Sequence, residues 1–378
     1  MMSRRTVLKT LAFGNTGTPA LVVVFLRGGA DGLSLVPPRD EKAYVELRPT
    51  LAIRDPLPLD DRFGLHRALE PLHRWYADGR LAVVHAVGSD DETRSHFEAQ
   101  DLMERAGRPE EGVSGGWLGR HLRSKPGSRG PVSAVALSPT LPESLRGAPS
   151  ACAMTSIEEV ALREATPDFT QALRVLYAAE GSGAGRTGEA TFRLMERLQE
   201  ARRAAPPEGY PTSDFGRQLR EVARLLKADV GLEAACLDFG GWDTHFTQAP
   251  AFGGLAGELA GGLAAFAADL GPALDRTTIV VMTEFGRRAY ENATLGTDHG
   301  RASVMFALGG GVRGGRVIAE WPGLSGNALA GPGDLEVTID YRDVLGEILR
   351  RGAGNPNVAD VFPGAALRDR GLYPVLSK

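Results

Sequence analysis

The run Thr277–Met282 (TTIVVM) places the strongest constraint on what this chain can fold into. It is β-branched and apolar without polar alternation, a pattern typical of a strand buried on both faces of a parallel sheet. Further predicted strands cover residues 20–26, 81–87, 132–137, 232–239 and 304–308. We therefore predict an α/β fold built on a mostly parallel sheet.

Helical periodicity fills most segments between these strands. The predicted helices cover residues 65–77, 157–164, 168–179, 189–203, 214–228, 255–270 and 339–350. Strands that alternate with helices form layered α/β domains, so we predict one three-layer α/β/α domain over residues 20–378. The helix-rich block at about 156–228 is interpreted as an insertion, either packed on this domain or serving as a lid.

Composition excludes several classes of partner. The 43 basic and 47 acidic residues give a formal net charge of −4, so no basic field is available to neutralise the phosphates of a nucleic acid. No run of 18 apolar residues occurs, and we expect no transmembrane segment. Cys152 and Cys236 are too few for a disulfide scaffold.

The amino terminus resembles an export signal. Residues 3–9 (SRRTVLK) match the twin-arginine motif, in which two arginines precede an apolar pair and a lysine. The following residues 10–17 are interrupted by Asn15, and no small-residue cleavage site precedes the first strand. We interpret residues 1–19 as a degenerate twin-arginine-type signal and expect a periplasmic or exported protein. The alternative is a cytoplasmic protein, because the signal is truncated.

Acids and histidines follow the predicted strands at the points where these end. They are Asp31, Asp243, His245, Glu284, Asp298 and His299. Carboxyl ends of parallel strands meet at one edge of the sheet, which is where open α/β sheets bind ligands. We therefore expect these six side chains to lie close together. Taken singly, Glu284 could cap a helix, and His299 could be a loop histidine with its hydrogen bonds satisfied.

These residue types predict a metal site. Carboxylates and imidazoles without thiolates suit Zn²⁺ or Mn²⁺, or Mg²⁺ or Ca²⁺ if few histidines bind. Asp243 and His245 are two residues apart, which on an extended segment lets both side chains reach one ion. We expect two divalent ions, since a pair can clamp the attacking and leaving oxygens of an in-line displacement. His85, in the middle of an apolar strand, is interpreted as a core residue.

A candidate nucleophile lies in the polar stretch 88–98 (GSDDETRSHFE). A helix is predicted to begin near Thr93 or Ser95, and Ser95 and Glu98 have the spacing of a capping box. Free backbone N–H groups at a helix start favour an anion such as phosphate or sulfate. Ser95 could therefore be a nucleophile, with Thr93 as the alternate and His96 beside them, or Ser95 could merely cap the helix.

Two arginines could hold an anionic substrate group. Arg94 lies between Thr93 and Ser95, and Arg287 lies three residues after Glu284. A guanidinium forms bidentate hydrogen bonds with phosphate or sulfate oxygens. We predict that one or both arginines bind the substrate.

Seven motifs resemble a bacterial family known as domain of unknown function 1501. They are LVVVFLRGGADGL, FGLHRAL, TRSHFEAQD, GGWDTH, TEFGRR, GTDHG and MFALGGGVRGG, and the resemblance extends over nearly the whole chain from Ala20. Members of the family are typically exported by the twin-arginine route. The family is similar to the sulfatases of the alkaline phosphatase superfamily, so the resemblance implies an alkaline phosphatase-like fold.

The resemblance also implies roles for particular residues. Asp31 matches the first-strand metal ligand of the superfamily, Asp243 and His245 match its middle pair, and His299 matches its late histidine. The chain departs from the superfamily at residues 284–286 (EFG), where Asp-His-Gly is common, and in the short gap between Asp243 and His245. It also lacks the Cys-x-Pro-x-Arg motif of type I sulfatases.

The sequence thus predicts a metal-dependent hydrolase of phosphate or sulfate esters, acting on a small anionic ester. Ser95 would attack the ester, and the metal would activate the hydroxyl group and stabilise the charge that develops on the oxygens. The alternative is a non-catalytic exported binding protein that keeps the fold with one structural metal or none. A two-metal site would favour the enzyme, and a metal-free edge would favour the binding protein.

Overall fold

A nine-stranded sheet organises the computed structural model, which describes residues 17–108, 112–127, 130–159, 166–180, 183–203 and 207–374. The predicted signal motif at residues 3–9 lies outside these ranges. The described strands are β1 (Ala20–Leu26), β2 (Leu57–Pro58), β3 (Gly64–Leu65), β4 (Leu81–Gly88), β5 (Ala134–Ala136), β6 (Ala151–Ala153), β7 (Ala234–Phe239), β8 (Thr277–Met282), β9 (Ser303–Gly309), β10 (Arg316–Ile318), β11 (Leu329–Ala330), β12 (Asp334–Leu335) and β13 (Ile339–Asp340).

Helices connect most of these strands. The described α-helices are α1 (Gly32–Leu35), α2 (Lys42–Leu47), α3 (Glu70–Ala77), α4 (His96–Arg105), α5 (Trp117–Ser124), α6 (Pro167–Ala179), α7 (Gly183–Arg203), α8 (Asp214–Lys227), α9 (Gln248–Leu270), α10 (Tyr341–Glu347) and α11 (Val358–Val361). The predicted helical block therefore contains α6, α7 and α8, while its status as an insertion stays a prediction.

The strand order of the main sheet is β10-β4-β9-β8-β1-β7-β5-β6, with β13 also paired to β4. Strand β9 runs antiparallel to both of its neighbours, β4 and β8. The remaining described pairs in this sheet are parallel. The predicted mostly parallel sheet is confirmed.

Both faces of the sheet are covered by helices. Successive side chains of β1 point to opposite faces, so Val22 and Val24 join one apolar cluster with α3, α8 and α9. Leu21 and Val23 join the opposite cluster, with α5, α10 and α11. Burying each such aliphatic side chain stabilises the fold by about 1.5–3 kcal/mol. The three-layer α/β/α architecture predicted from the apolar runs is confirmed.

The carboxyl ends of the central strands are aligned. Leu26 of β1 pairs with Phe239 of β7, and Phe25 pairs with Met282 of β8. The three loops that follow these strands therefore leave the sheet at one edge, here called the carboxyl edge. Strand β4 ends at the same edge, and the antiparallel β9 begins there at Ser303.

Two predicted helices begin later than expected because local contacts take their first residues. In the predicted helix 65–77, Gly64–Leu65 pairs with β2 and a 3₁₀ turn covers Arg67–Leu69, so α3 begins at Glu70. In the predicted helix 339–350, Ile339–Asp340 pairs with the end of β4. The carboxylate of Asp340 then caps α10 by accepting a hydrogen bond from the Arg342 N–H at 2.8 Å.

The segment Gln248–Arg276, which is α9 and the 3₁₀ turn after it, is one helical stretch of the described residues long and apolar enough to cross a membrane. Its Phe252, Leu259, Leu263 and Phe266 side chains pack in the core against the sheet. Core helices of globular proteins pass the same length and hydropathy criterion. We therefore interpret it as a core helix, and it contains the predicted helix 255–270.

Candidate metal centre

Asp243 lies at the carboxyl edge, in the loop that follows β7. The preceding residue, Trp242, is fully buried and packs edge-to-face on Phe239 and Phe252, with ring centroids 5.6 Å from each. The Trp242 N–H donates to the carbonyl of Arg27 in the loop after β1. This apolar anchor fixes the loop and leaves the carboxylate of Asp243 accessible.

Three imidazoles surround that carboxylate. Nε2 of His245 and Nε2 of His299 each lie 3.1 Å from Oδ1 of Asp243, and the two nitrogens are 2.9 Å apart. Nε2 of His96, at the start of α4, lies 3.4 Å from Oδ2 of Asp243. We call His96, Asp243, His245 and His299 the histidine centre.

Glu284 fixes the orientation of His96. Its buried Oε1 accepts hydrogen bonds from Nδ1 of His96 and Nε2 of Gln100, both at 2.8 Å, and from the Gly28 N–H at 2.9 Å. Burial raises the pKa of Glu284, but these hydrogen bonds outweigh burial and hold that pKa below its usual value. The hydrogen bond to Glu284 raises the pKa of His96, which makes Nε2 a stronger electron donor.

The other two imidazoles are held in the same way. Nδ1 of His299 lies 2.9 Å from the main-chain oxygen of Arg94, and Nδ1 of His245 lies 3.4 Å from Oδ1 of Asp298. Asp298 also accepts from Nδ2 of Asn292, which lowers the pKa of its carboxyl group. Carbonyl and carboxylate oxygens only accept, so each Nδ1 carries the hydrogen and each Nε2 presents a lone pair to the centre.

The hydrogen bonds of the described residues do not satisfy all three Nε2 lone pairs. Nε2 of His96 is buried and makes no hydrogen bond to any described residue. Nε2 of His245 and Nε2 of His299 can share at most one hydrogen at their separation of 2.9 Å. A buried polar atom without a partner is costly, and a cation bound between these atoms would satisfy all of them.

The donor set fits a divalent transition metal. Donor atoms of His96, Asp243 and His299 all lie within 4.8 Å of one another, and His245 adjoins two of them. Imidazoles that donate through Nδ1 to a carboxylate or carbonyl are the usual surroundings of metal-binding histidines. Three imidazoles and one carboxylate suit Zn²⁺, Mn²⁺ or Fe²⁺ better than Mg²⁺ or Ca²⁺, which prefer oxygen ligands.

Arg287 ties together the loops that carry the centre. Its fully buried guanidinium donates to Oδ1 of Asp243 at 2.6 Å. It also donates to the main-chain oxygens of Gly28, Gly29, Trp242 and Thr297. Burial raises the pKa of Asp243, but the hydrogen bond and charge of Arg287, together with the neighbouring His299, lower it to about 2. The guanidinium of Arg287 is buried among these protein acceptors, and its predicted contact with a substrate stays a prediction.

Arg94 contributes its main chain to the centre. Its φ of 54° is in the left-handed region, which few non-glycine residues adopt, and its carbonyl holds His299. Its side chain forms an ion pair with the buried Asp334, and Nη1 donates to the carbonyl of Glu92 at 3.1 Å. The substrate-binding role predicted for its guanidinium is not seen among these contacts and stays a prediction.

Asp31 lies outside the histidine centre. Its buried Oδ1 and Oδ2 pair with the Arg48 guanidinium at 3.0 and 2.6 Å, and Ser34 and Gln248 also donate to Oδ2. Burial raises the pKa of Asp31, but the Arg48 charge and the hydrogen bonds from Arg48, Ser34 and Gln248 together outweigh burial and lower it. Both oxygens are therefore occupied by protein donors. Of the six predicted metal ligands, the structure brings Asp243, His245 and His299 together, places Glu284 and Asp298 behind histidines, and places Asp31 elsewhere.

Ser95 occupies the N-cap position of α4 but does not cap it. Its backbone is extended, and its side chain makes no capping hydrogen bond. The capping box predicted from Ser95 and Glu98 is therefore wrong. The Thr93 hydroxyl donates to Asp91 at 2.7 Å and accepts from the Ser95 N–H at 3.3 Å. Of the two predicted nucleophiles, Ser95 has the hydroxyl group that is not engaged in this turn.

An aromatic ring forms the floor of the centre. The buried Phe285 ring lies 4.9 Å from the rings of His96 and His299, measured between centroids. Gly29, with φ of 67°, lies against this ring, and a Cβ there would come within 2.5 Å of it. The glycine of the predicted glycine-rich loop is thus needed for the close approach of β1's loop to Phe285.

Sequence reasoning missed two features of the site. His96 was expected beside the nucleophile, whereas its ring belongs to the histidine centre. Its position at the start of a helix at the carboxyl edge was the sequence signal that could have indicated this. The Arg48 partner of Asp31 had no signal in the sequence, because it lies in α2's C-cap far from the motifs. His85 is fully buried, stacks on Phe63 at 5.0 Å and bonds to the Val36 carbonyl, as expected of a core residue.

Comparison with known proteins gives one family and several distant structures. The family described as protein of unknown function (DUF1501) matches residues 18–350. No curated protein matches the sequence. The PsFucS1 sulfatase from Pseudoalteromonas sp. is 12% identical with a TM-score of 0.44, and the alignment covers 98% of this chain and 76% of that one. The alkaline phosphatase of the Antarctic bacterium TAB5 is 9% identical with a TM-score of 0.30, over 78% of this chain and 92% of that one.

Proposed function

The chain belongs to the DUF1501 family, and we propose that it is a metal-dependent hydrolase of small phosphate or sulfate esters. The observation that carries this proposal is the convergence of three Nε2 atoms on the carboxylate of Asp243. The cluster lies at the carboxyl edge of an α/β sheet, which is where a catalytic site is expected.

His96, Asp243, His245 and His299 would hold the ion. A bound divalent ion would supply Lewis acidity, which polarises an ester oxygen and stabilises the charge that develops on it. Glu284, Asp298 and the Arg94 carbonyl keep each Nε2 directed at the ion. We propose one ion per chain rather than two, because Arg48 occupies the carboxylate of Asp31.

Ser95 is the proposed nucleophile. It directly precedes His96, and its hydroxyl group is not used as a helix cap. The first N–H groups of α4 have no partner within the helix and favour an anion beside the hydroxyl. Attack by Ser95 on the phosphorus or sulfur atom would release the alcohol, and water would then free the serine.

A second candidate function has its own support. The guanidinium groups of Arg48 and Arg287 are buried and hydrogen-bonded to protein groups, so neither is exposed to an anionic ester. A binding protein with a structural ion would need no such group. We therefore keep a non-catalytic metal-binding protein as the alternative.

Metal analysis combined with turnover tests the proposal. The purified full chain should bind about one equivalent of metal, and aryl phosphate and sulfate esters should be hydrolysed with at least one of Zn²⁺, Mn²⁺, Fe²⁺ or Mg²⁺. Ser95→Ala should keep the metal and lose turnover, whereas His299→Ala should lose both. Stoichiometric metal without turnover of any ester would favour the binding protein.

A further inference from the structure

Two phenylalanines project into solvent beside the histidine centre. Phe97 is 88% exposed and Phe246 is 72% exposed, which makes them the two most exposed large apolar side chains of the described residues. Phe97 directly follows His96, and Phe246 directly follows His245, with the His245 and Phe246 rings 6.5 Å apart between centroids. The two histidines are themselves part of one cluster, so both phenylalanines are carried on backbone that borders the same centre.

Such exposure is unfavourable unless something covers the rings. Apolar side chains gain free energy by leaving water, and exposed apolar groups beside a concentrated polar site commonly mark a ligand surface. Leu295 is half exposed in the neighbouring loop, whose Thr294 hydroxyl donates to the His245 carbonyl. Helix α6 carries the other main group of exposed apolar side chains, and it contributes no residue to the centre.

The backbone that carries these rings is held in place. Thr247, next to Phe246, has φ of 44°, a left-handed conformation that is rare for a β-branched residue. Its N–H donates to the Thr294 carbonyl at 3.0 Å, and the Thr294 hydroxyl donates to the His245 carbonyl at 2.7 Å. Arg94, three residues before Phe97, is also left-handed. Strained backbone that is fixed by hydrogen bonds is typical of ligand sites. We therefore interpret the exposed position of Phe246 as fixed by this backbone and not as incidental.

We propose that Phe97 and Phe246 form a subsite for a ring in the alcohol part of the substrate, here called the phenylalanine rim. This inference rests on the proposed function. The anionic group binds at the histidine centre and the start of α4, and the ring lies on the rim. The substrate is therefore a phosphate or sulfate ester of a cyclic alcohol, an aryl or a sugar ring, since both present an apolar face to a phenyl group.

Binding of stable phosphonates to the metal-loaded full chain tests the rim without depending on turnover. Phenylphosphonate and cyclohexylphosphonate carry a flat and a saturated ring, and methylphosphonate carries the same anion without a ring. Titration calorimetry should give a dissociation constant about tenfold lower for at least one ring compound than for methylphosphonate, the range of a single aromatic contact. Preference for the phenyl compound indicates an aryl ester, and preference for the cyclohexyl compound indicates a sugar ester.

Substitution of the two phenylalanines tests whether the preference for ring compounds comes from the rim. The double variant Phe97→Ala, Phe246→Ala should bind all three phosphonates with the affinity of methylphosphonate. Phe169→Ala is the matched control, because Phe169 is 54% exposed on α6, away from the centre, and it should keep the preference. Equal binding of the three compounds by the wild type, no binding of any of them, or a preference that survives in the double variant would each overturn the rim.

Two further measurements separate the rim from its alternatives. A fall in oligomeric mass when both phenylalanines are removed would show that they contact a second copy of the chain, which would overturn the subsite. Turnover of methyl and ring esters at equal kcat/KM would also overturn it while leaving the hydrolase intact. Ring preference in binding with no turnover of any ester would leave the rim and remove the hydrolase.

Discussion

Oε1 of Glu284 accepts the Nδ1 hydrogen of His96 at 2.8 Å, and this carboxylate is buried beneath the imidazole. The pair links strand β8 to helix α4 across the carboxyl edge. A carboxylate in this position fixes the tautomer of the histidine and raises its basicity. The acid two residues after the most diagnostic strand of the sequence therefore acts on the histidine centre through His96.

Glu284→Gln should weaken metal binding by about 10–100-fold, because the neutral amide holds His96 but no longer raises its basicity. Competition with a chelator of known affinity measures the change. Glu221→Gln is the control, since Glu221 is also buried and accepts from the Ile157 N–H at 2.9 Å, in the helical block. Unchanged metal affinity in Glu284→Gln would remove the proposed role of the pair.

His299→Ala should abolish stoichiometric metal binding with little loss of fold. The ring lies at the accessible carboxyl edge, and its loss removes one of four donors. Elemental analysis and thermal unfolding measure the two effects. His73→Ala, at a half-buried histidine of α3 whose Nε2 lies 2.8 Å from the Pro58 carbonyl oxygen, is the matched control and should keep the metal. Retention of one equivalent of metal by His299→Ala would mean that the ion binds elsewhere.

Ser95→Ala should remove most ester hydrolysis while the melting temperature barely moves. Losing a true N-cap costs about 1 kcal/mol, but the Ser95 side chain makes no capping hydrogen bond. Steady-state kinetics on aryl esters and a thermal melt of the same sample separate the two roles. Should Thr93→Ala lose turnover while Ser95→Ala keeps it, the nucleophile would be Thr93.

Asp31→Asn should destabilise the protein by about 3 kcal/mol, because it leaves the buried Arg48 charge without a counter-ion. The metal content should stay at the wild-type level. The pKa of Asp31 is lowered in the folded state, so its stabilising effect is complete above the unfolded pKa of about 3.9 and fades as pH falls below it. Urea unfolding at pH 7 and at lower pH measures this difference. Loss of metal in Asp31→Asn would return Asp31 to the ligand set.

His85 should make the fold sensitive to mild acid. Burial lowers the pKa of His85 to about 4, whereas an unfolded histidine titrates near 6.5. The unfolded state therefore binds the proton first, and the free energy of unfolding should fall by roughly 3 kcal/mol as pH drops from 6.5 to 4. Urea titrations across this range on the wild type and His85→Gln measure it. An identical pH profile in the variant would show that other groups dominate.

The sheet was predictable from the sequence because its strands are buried on both faces. Such strands read as unbroken apolar runs, and Ala20–Leu26 and Thr277–Met282 were placed to the residue. The direction of β9 was not predictable, since an antiparallel strand buried on both faces has the same composition as a parallel one. Helix starts were missed where a side-chain cap or a short strand pair intervened, as at Asp340.

The candidate site was predictable by place but not by role. Residues that follow strand ends can be located from the strands, and Asp243, His245 and His299 do meet. Whether a carboxylate binds a metal or a neighbouring side chain depends on partners distant in the chain. Asp31 pairs with Arg48, which is 17 residues away in the chain, and Glu284 binds His96, which is 188 residues away. Such pairings leave no local pattern in one sequence.

Because β9 is antiparallel to β8, part of the candidate site lies on a connection that stays at one edge of the sheet. The chain leaves β8 and enters β9 at the same edge, so the connection from Thr283 to Ala302 never crosses the sheet. Glu284, Asp298 and His299 are all carried on that one connection. An exchange of this segment between relatives would transfer one donor, His299, together with the two carboxylates that orient His96 and His245, while the strands on either side kept their register.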